Sequence, residues 1–129
     1  MKKEEIITII IIIFIIVAEI ITQKHTNNSL DELDEKLKNL KEMTLSKQYS
    51  NEELKQTTED IDKSWEKKDD LLSYYLEHEE LEKICTQIKK IKAHFETDLE
   101  EEVVPEIEEG IYLLDHLKDK QKLNLKNVL

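Results

Sequence analysis

IITIIIIIFIIVAEII, running from Ile6 to Ile21, is the stretch on which the fold of this chain turns: eleven of its sixteen residues are isoleucine, and only Thr8 and Glu19 are polar. As a helix it rises about 24 Å, somewhat short of the roughly 30 Å hydrocarbon layer of a bilayer. Glu4 and Lys24, with side chains long enough to reach the interface, extend it to a full span. A core helix of a soluble protein is a poor alternative, because the run has no polar face to turn to water. A cleaved secretory signal also competes, since Lys2 and Lys3 precede the run. Cleavage needs small residues in an A-x-A-like pattern, and the best match, Ile16-Val17-Ala18, places a bulky isoleucine first. The absence of a cysteine just after the run rules out lipoprotein attachment. The preferred reading is an uncleaved signal-anchor over residues 1–25, followed by one small domain over residues 26–129.

Orientation is open on the residues alone. Lys2 and Lys3 on one side against Lys24, Lys36, Lys38 and Lys41 on the other lean toward a cytoplasmic C-terminus. Long downstream domains, however, translocate largely regardless of charge.

Composition narrows the domain. One glycine, one proline and two phenylalanines in 129 residues leave too few turn formers for a β-sandwich or a nucleotide-binding α/β unit. Glu, Lys, Leu and Ile dominate, a helix-forming mixture. The three lysines and three glutamates of residues 1–25 cancel, so the whole formal charge of −11 falls on residues 26–129. Such a surface repels phosphate backbones, which argues against nucleic acid as a partner. No arginine is present for bidentate recognition of phosphate or carboxylate. Cys85, the single cysteine, cannot form a disulfide within its own chain and is expected as a small buried residue.

Lys24 to Asn28 reads as a polar linker. Ser29 with Glu32 is a capping box that starts a helix over about 30–46, with Leu30, Leu33, Leu37 and Leu40 on one face and Met43 extending it. Ser50 with Glu53 repeats the box and opens a helix over about 51–74, whose stripe is Leu54, Thr58, Ile61, Trp65, Leu72 and Tyr75. The stripe then changes phase to Leu81, Ile84, Ile88, Ile91 and Phe95, while the charge order resets after Asp69-Asp70. This predicts a break between residues 69 and 78 and a further helix over about 77–98, with one kinked helix as the alternative. Pro105 suits the first position of a last helix with Val104, Ile107, Ile111, Leu114 and Leu117 inward. Gly110 inside it predicts close approach of a neighbouring helix. The tail from Leu123 to Leu129, apolar at Leu123, Leu125, Val128 and Leu129, is expected to dock on the domain.

Candidate sites are few. Trp65, Tyr74 and Tyr75 are the residues able to line a pocket between helices, although a tryptophan at stripe spacing is more often core. His78 and Glu82 share a helix face but lack the second histidine of a zinc protease motif and the Glu-x-x-His spacing of di-iron bundles. Asp98 with Glu100-Glu101-Glu102 lacks the glycine and alternating ligands of a calcium loop. No catalytic residue, metal ligand or cofactor follows, and an enzyme is not expected.

Trp65 followed thirteen residues later by His78-Glu79, then Ile84 and Ile88, and the ending Leu113-Leu114-Asp115-His116-Leu117 with Leu123-Asn124-Leu125-Lys126-Asn127-Val128-Leu129, resemble a family of small bacterial proteins catalogued as domain of unknown function 4363. The tail is the specific part, similar to a closing Leu-x-Leu-x-Asn-hydrophobic-hydrophobic signature. The acid-rich stretch 98–102 departs from the family pattern. The resemblance implies a single-pass protein of the cell membrane, N-terminus cytoplasmic and domain outside, with no established activity. It also implies a membrane-protein partner of the domain of unknown function 421 type. The expected architecture is all-α: an N-terminal transmembrane helix through Ile6–Ile21, then a small antiparallel bundle of three to four helices. Its expected role is docking to a membrane partner, with candidate contacts at Trp65, Tyr74, Tyr75, His78, Leu123, Leu125, Val128 and Leu129. The alternative is an extracytoplasmic ligand-sensing bundle using Trp65, Tyr74 and Tyr75.

Overall fold

The computed structural model describes residues 2–98 and 100–128, with backbone only at 100 and 124–128. The described residues form four helices and no strand: α1 (Lys3–Ser46), α2 (Asn51–Leu72), α3 (His78–Glu96) and α4 (Glu100–Val128). The second half of α1 packs against α2 and α4; the first half stands clear of the bundle, and no residue from Lys2 to Ile21 is buried.

Cross-helix polar pairs give the direction of each neighbour. Glu32 and Lys36 of α1 meet Lys68 and Ser64 of α2, so rising numbers on one oppose falling numbers on the other. Asp62 and Glu59 of α2 meet Lys89 and Lys92 of α3. Gln87 and Glu80 of α3 meet Glu106 and Lys120 of α4, and α4 closes the ring through Lys118 to Asp34 and Glu108 to Lys41 of α1. Each helix is therefore antiparallel to its two neighbours, an up-down-up-down bundle of the kind that short connections favour.

Periodicity and core agree closely. Leu30, Leu33, Leu37 and Leu40 of α1, Leu54, Ile61, Trp65 and Leu72 of α2, and Leu81, Ile84, Ile88, Ile91 and Phe95 of α3 are all buried in one core, with Met43 packed on its edge. On α4 the inward row is Val103, Ile107, Ile111, Leu114 and Leu117, one residue earlier at its start than the expected Val104. Leu76, in the α2–α3 turn, closes the core at that end. The α4 helix crosses α1 and α3 at Gly110, where an added Cβ would lie 3.2 Å from Leu37 Cδ1 and 3.5 Å from Gln87 Cγ. The close approach expected at this glycine is present.

Several boundaries differ from expectation. Lys24 to Asn28 is not a linker and Ser29 is not a cap: both lie inside α1. Thr26 and Ser29 are buried and extend the leucine face of α1 toward its N-terminal half. The residues between Lys24 and Ser29 are mediocre helix formers, but they are flanked by strongly helical runs, and elongating an existing helix costs far less than starting one. Ser50 does cap α2, accepting from the Glu53 N–H at 3.2 Å. The expected break is real: α2 ends at Leu72 and α3 begins at His78, so the two are separate helices. Tyr75 falls in that turn, half-exposed, and does not join the α2 stripe. Pro105 is not the first residue of α4 but its sixth, on the solvent side, where the Glu101 carbonyl it cannot serve faces water. Asp98 makes the turn before it with φ 58°, a left-handed conformation that aspartate tolerates better than most residues. Its carboxylate accepts from the Asn51 side chain, which ties this connector to the start of α2.

Leu123 is 61 % exposed on α4, so the part of the tail that is described does not dock back on the bundle. Leu125 and Val128 lie outside the described side chains, and Leu129 outside the described residues.

Candidate functional site

The turn between α2 and α3 sets the positions of the candidate aromatics. Tyr75 N–H and Leu76 N–H both donate to the Leu72 carbonyl, at 2.9 Å, winding the chain tightly after the helix. Leu72 and Leu76 point into the core as a result. Tyr74 and Tyr75 are left outside, 80 % and 42 % exposed, with ring centroids 6.5 Å apart. His78 follows as the first, exposed residue of α3.

Trp65 goes the other way. It is 2 % exposed, against Leu33 and Ile61. Beside it a crevice of about 10 Å³ runs between α1 and α2, too small for a ligand. Its indole N–H has no hydrogen-bond partner. The structure thus separates the three aromatics: Trp65 fills the core, Tyr74 and Tyr75 stand outside, and no described cavity is lined by all three.

Polar chemistry inside the bundle is concentrated at two carboxylates. Asp34, 5 % exposed, accepts from Lys38 of its own helix and from Lys118 of α4, both at 2.9 Å. Lys118 also reaches Asp31 at 2.9 Å. Burial alone would raise the Asp34 pKa, but the hydrogen bonds from Lys118 and Lys38 outweigh it and hold the carboxyl below its ordinary value. Asp62, 3 % exposed, accepts from Lys89 of α3 at 2.7 Å and lies 3.5 Å from Lys92. The hydrogen bonds that Lys89 donates to Asp62 and Glu66 push its ammonium pKa well upward. Both nodes bind helix to helix, and their geometry is that of fasteners rather than of acid–base machinery. Sequence reasoning passed over them, yet a signal existed: each acid stands four residues after and three before a buried stripe position, Leu30/Leu37 and Thr58/Trp65 respectively.

Two of the open grooves among the described residues lie on the bundle. One, of about 550 Å³, lies between α3 and α4, with Gln87 and Leu113 at its floor and Glu82, Lys83, Lys90 and Glu109 around it. The other, of about 590 Å³, lies at the end farthest from the apolar run, among Leu45, Tyr49, Leu54 and Val104. No histidine or cysteine lines either groove. Cys85 is half-buried, and burial pushes its thiol pKa up, away from the reactive thiolate. Among the described residues no three His, Cys, Asp or Glu side chains cluster as a metal site. Asp98, Glu101 and Glu102 are solvent-exposed.

α1 is long and apolar enough near its N-terminus to cross a membrane. No curated protein and no solved structure matches the chain. The family described as Domain of unknown function (DUF4363) matches residues 20–128, from the last turn of the isoleucine run through the entire buried core, and the chain belongs to that family.

Proposed function

We propose that this protein is a single-pass membrane protein whose helical bundle stands outside the cytoplasm and works as a docking module rather than as an enzyme. The observation that carries the reading is the two-part character of α1. From Lys3 to Ile21 it is exposed throughout, with Phe14 72 % and Ile21 62 % exposed, although eleven isoleucines make that surface insoluble in water. Its second half is an integral part of the bundle core. Lipid around the first half satisfies both facts, since every backbone group of a helix is already paired.

Docking needs shape and surface, and the bundle supplies an uneven charge. Glu100, Glu101, Glu102, Glu106, Glu108 and Glu109 crowd the first turns of α4, at the end remote from the isoleucine run. A partner with a basic extracytoplasmic surface fits that end, and a membrane protein of the domain of unknown function 421 type is the class we favour. The ligand-sensing alternative loses the pocket on which it rested, because Trp65 and the two tyrosines do not meet.

Two measurements test the proposal. Protease added to intact cells is expected to remove the bundle, and the chain is expected to stay in the membrane pellet through alkaline carbonate. Protection from protease in intact cells, or release by carbonate, would reject it. For docking, Glu101→Lys with Glu109→Lys is expected to reduce co-purification of a membrane partner in mild detergent while leaving the melting temperature within a few degrees.

A further inference from the structure

The apolar run is short and nothing flexible separates it from the bundle. From these two facts, together with the helix register, we infer that the α2–α3 turn and the exposed Leu123 form a second membrane contact, seated in the lipid headgroup layer beside the point where α1 emerges. This inference rests on the anchor reading above.

Register fixes the height of each residue. Glu32 opposite Lys68 and Lys36 opposite Ser64 place Tyr74 level with about Thr26 of α1. Lys118 opposite Asp34 and Asp31, with Glu108 opposite Lys41, places Leu123 at nearly the same level on α4. Thr26 is five residues past Ile21, or about 7 Å along the helix axis. The headgroup region on one side of a bilayer is roughly 5–8 Å deep. Because the sixteen-residue run, at about 24 Å, falls short of the hydrocarbon thickness, the boundary is drawn toward the bundle rather than away from it. α1 continues through this level without a break, so the bundle cannot drift off on a tether.

The residues found at that level suit the layer. Tyr74 is 80 % exposed, Leu123 61 %, Leu71 43 % and Tyr75 42 %, four of the seven large apolar or aromatic side chains exposed on the described part of the domain, Leu45, Tyr49 and Tyr112 lying elsewhere. Tyrosine is enriched at membrane interfaces because its ring sits among acyl chain ends while its hydroxyl stays wet. Charge agrees. Around this end Lys24, Lys120 and Lys122 partly offset Asp69, Asp70, Glu77, Glu79, Glu80 and Asp119, whereas residues 100–109 at the opposite end carry six glutamates and no lysine.

The test uses the full chain in phosphatidylcholine vesicles, with a fluorophore on a single cysteine in a Cys85→Ser background. Tyr74→Cys and Leu123→Cys report on the proposed contact; Leu45→Cys, 57 % exposed at the far end, is the control. Lipid carrying a headgroup-level spin label is expected to quench the first two at least twofold more than the third. Carbonate extraction of the same vesicles tests the anchor separately. Extraction would overturn the anchor reading itself. Retention with equal quenching at all three sites would overturn the headgroup contact alone. Absence of quenching in pure lipid, with labelling at Tyr74 blocked in native membranes, would also overturn it and assign the surface to a protein partner.

Discussion

Asp34 is the residue whose chemistry gives the sharpest prediction. Its carboxylate is held below the ordinary value of 3.8, burial being outweighed by Lys118 and Lys38. The folded value therefore lies below the unfolded one, and its stabilisation is fully present above pH 3.8 and lost as pH falls through the folded value. Lys118 is shifted the opposite way: the hydrogen bonds it donates to Asp31 and Asp34 overcome the effect of burial and raise it. Its share is complete below the ordinary lysine value and lost only as pH rises beyond it. Asp34→Asn is expected to cost roughly 1–3 kcal/mol at pH 7, below the usual figure for breaking a buried pair because Lys118 keeps Asp31. Denaturant titrations should show the gap between variant and parent closing below about pH 4; a gap constant down to pH 2 would mean that the ion pair contributes nothing. Gly110 gives a second test. Alanine there gains about 1 kcal/mol of helix propensity but presses on Leu37, so near-neutrality is expected. Valine adds two further methyls at the same crossing and should destabilise by roughly 1–3 kcal/mol in the same assay. The glycine's purpose was legible in the sequence because an interior helical glycine is costly. The two buried aspartates were not, because their partners lie on helices whose facing is a tertiary fact.

At the scale of the element, what could be read was which residues face inward; what could not be read was where helices stop. All five inward positions expected of α3 are buried, because a 3.6-residue period survives whatever the ends do. The α1 boundary failed because Ser29-Leu30-Asp31-Glu32 matches a cap signature that only local competition can decide. Here the isoleucine helix arrives already formed, and it is cheaper to continue through Lys24–Asn28 than to stop and restart. Pro105 misled in the same way, since the preceding turn at Asp98 starts α4 early. The continuity of α1 is measurable. Spin labels at Phe14→Cys and Glu35→Cys, in a Cys85→Ser background, are joined by 21 residues of helix, about 32 Å of axial rise. A single narrow distance distribution near that value is expected in nanodiscs, and a broad one would restore the linker.

For the whole molecule, the question is whether anchor and bundle are one folding unit or two. Among the described residues every buried one, from Thr26 to Gln121, belongs to the bundle, and the first half of α1 contributes none. Backbone continuity couples the two halves in orientation but gives the bundle no packing. A fragment of residues 22–129 should therefore fold without detergent and melt in one transition, as small single domains do. Trp65 makes this easy to follow. It is the only tryptophan and is 2 % exposed, so its emission reports the core alone, while far-UV circular dichroism reports all four helices. Coincident transitions by the two probes are expected in the fragment, with Trp65→Ala costing roughly 3–5 kcal/mol and Trp65→Phe much less, since it fills most of the volume and removes an unpaired N–H. In the full chain the core transition should fall at the same temperature while part of the helical signal persists above it, held by the lipid-embedded half of α1. A fragment that is soluble but molten, with a broad melt and red-shifted tryptophan emission, would show that the bundle draws stability from the membrane and that the two parts are one unit.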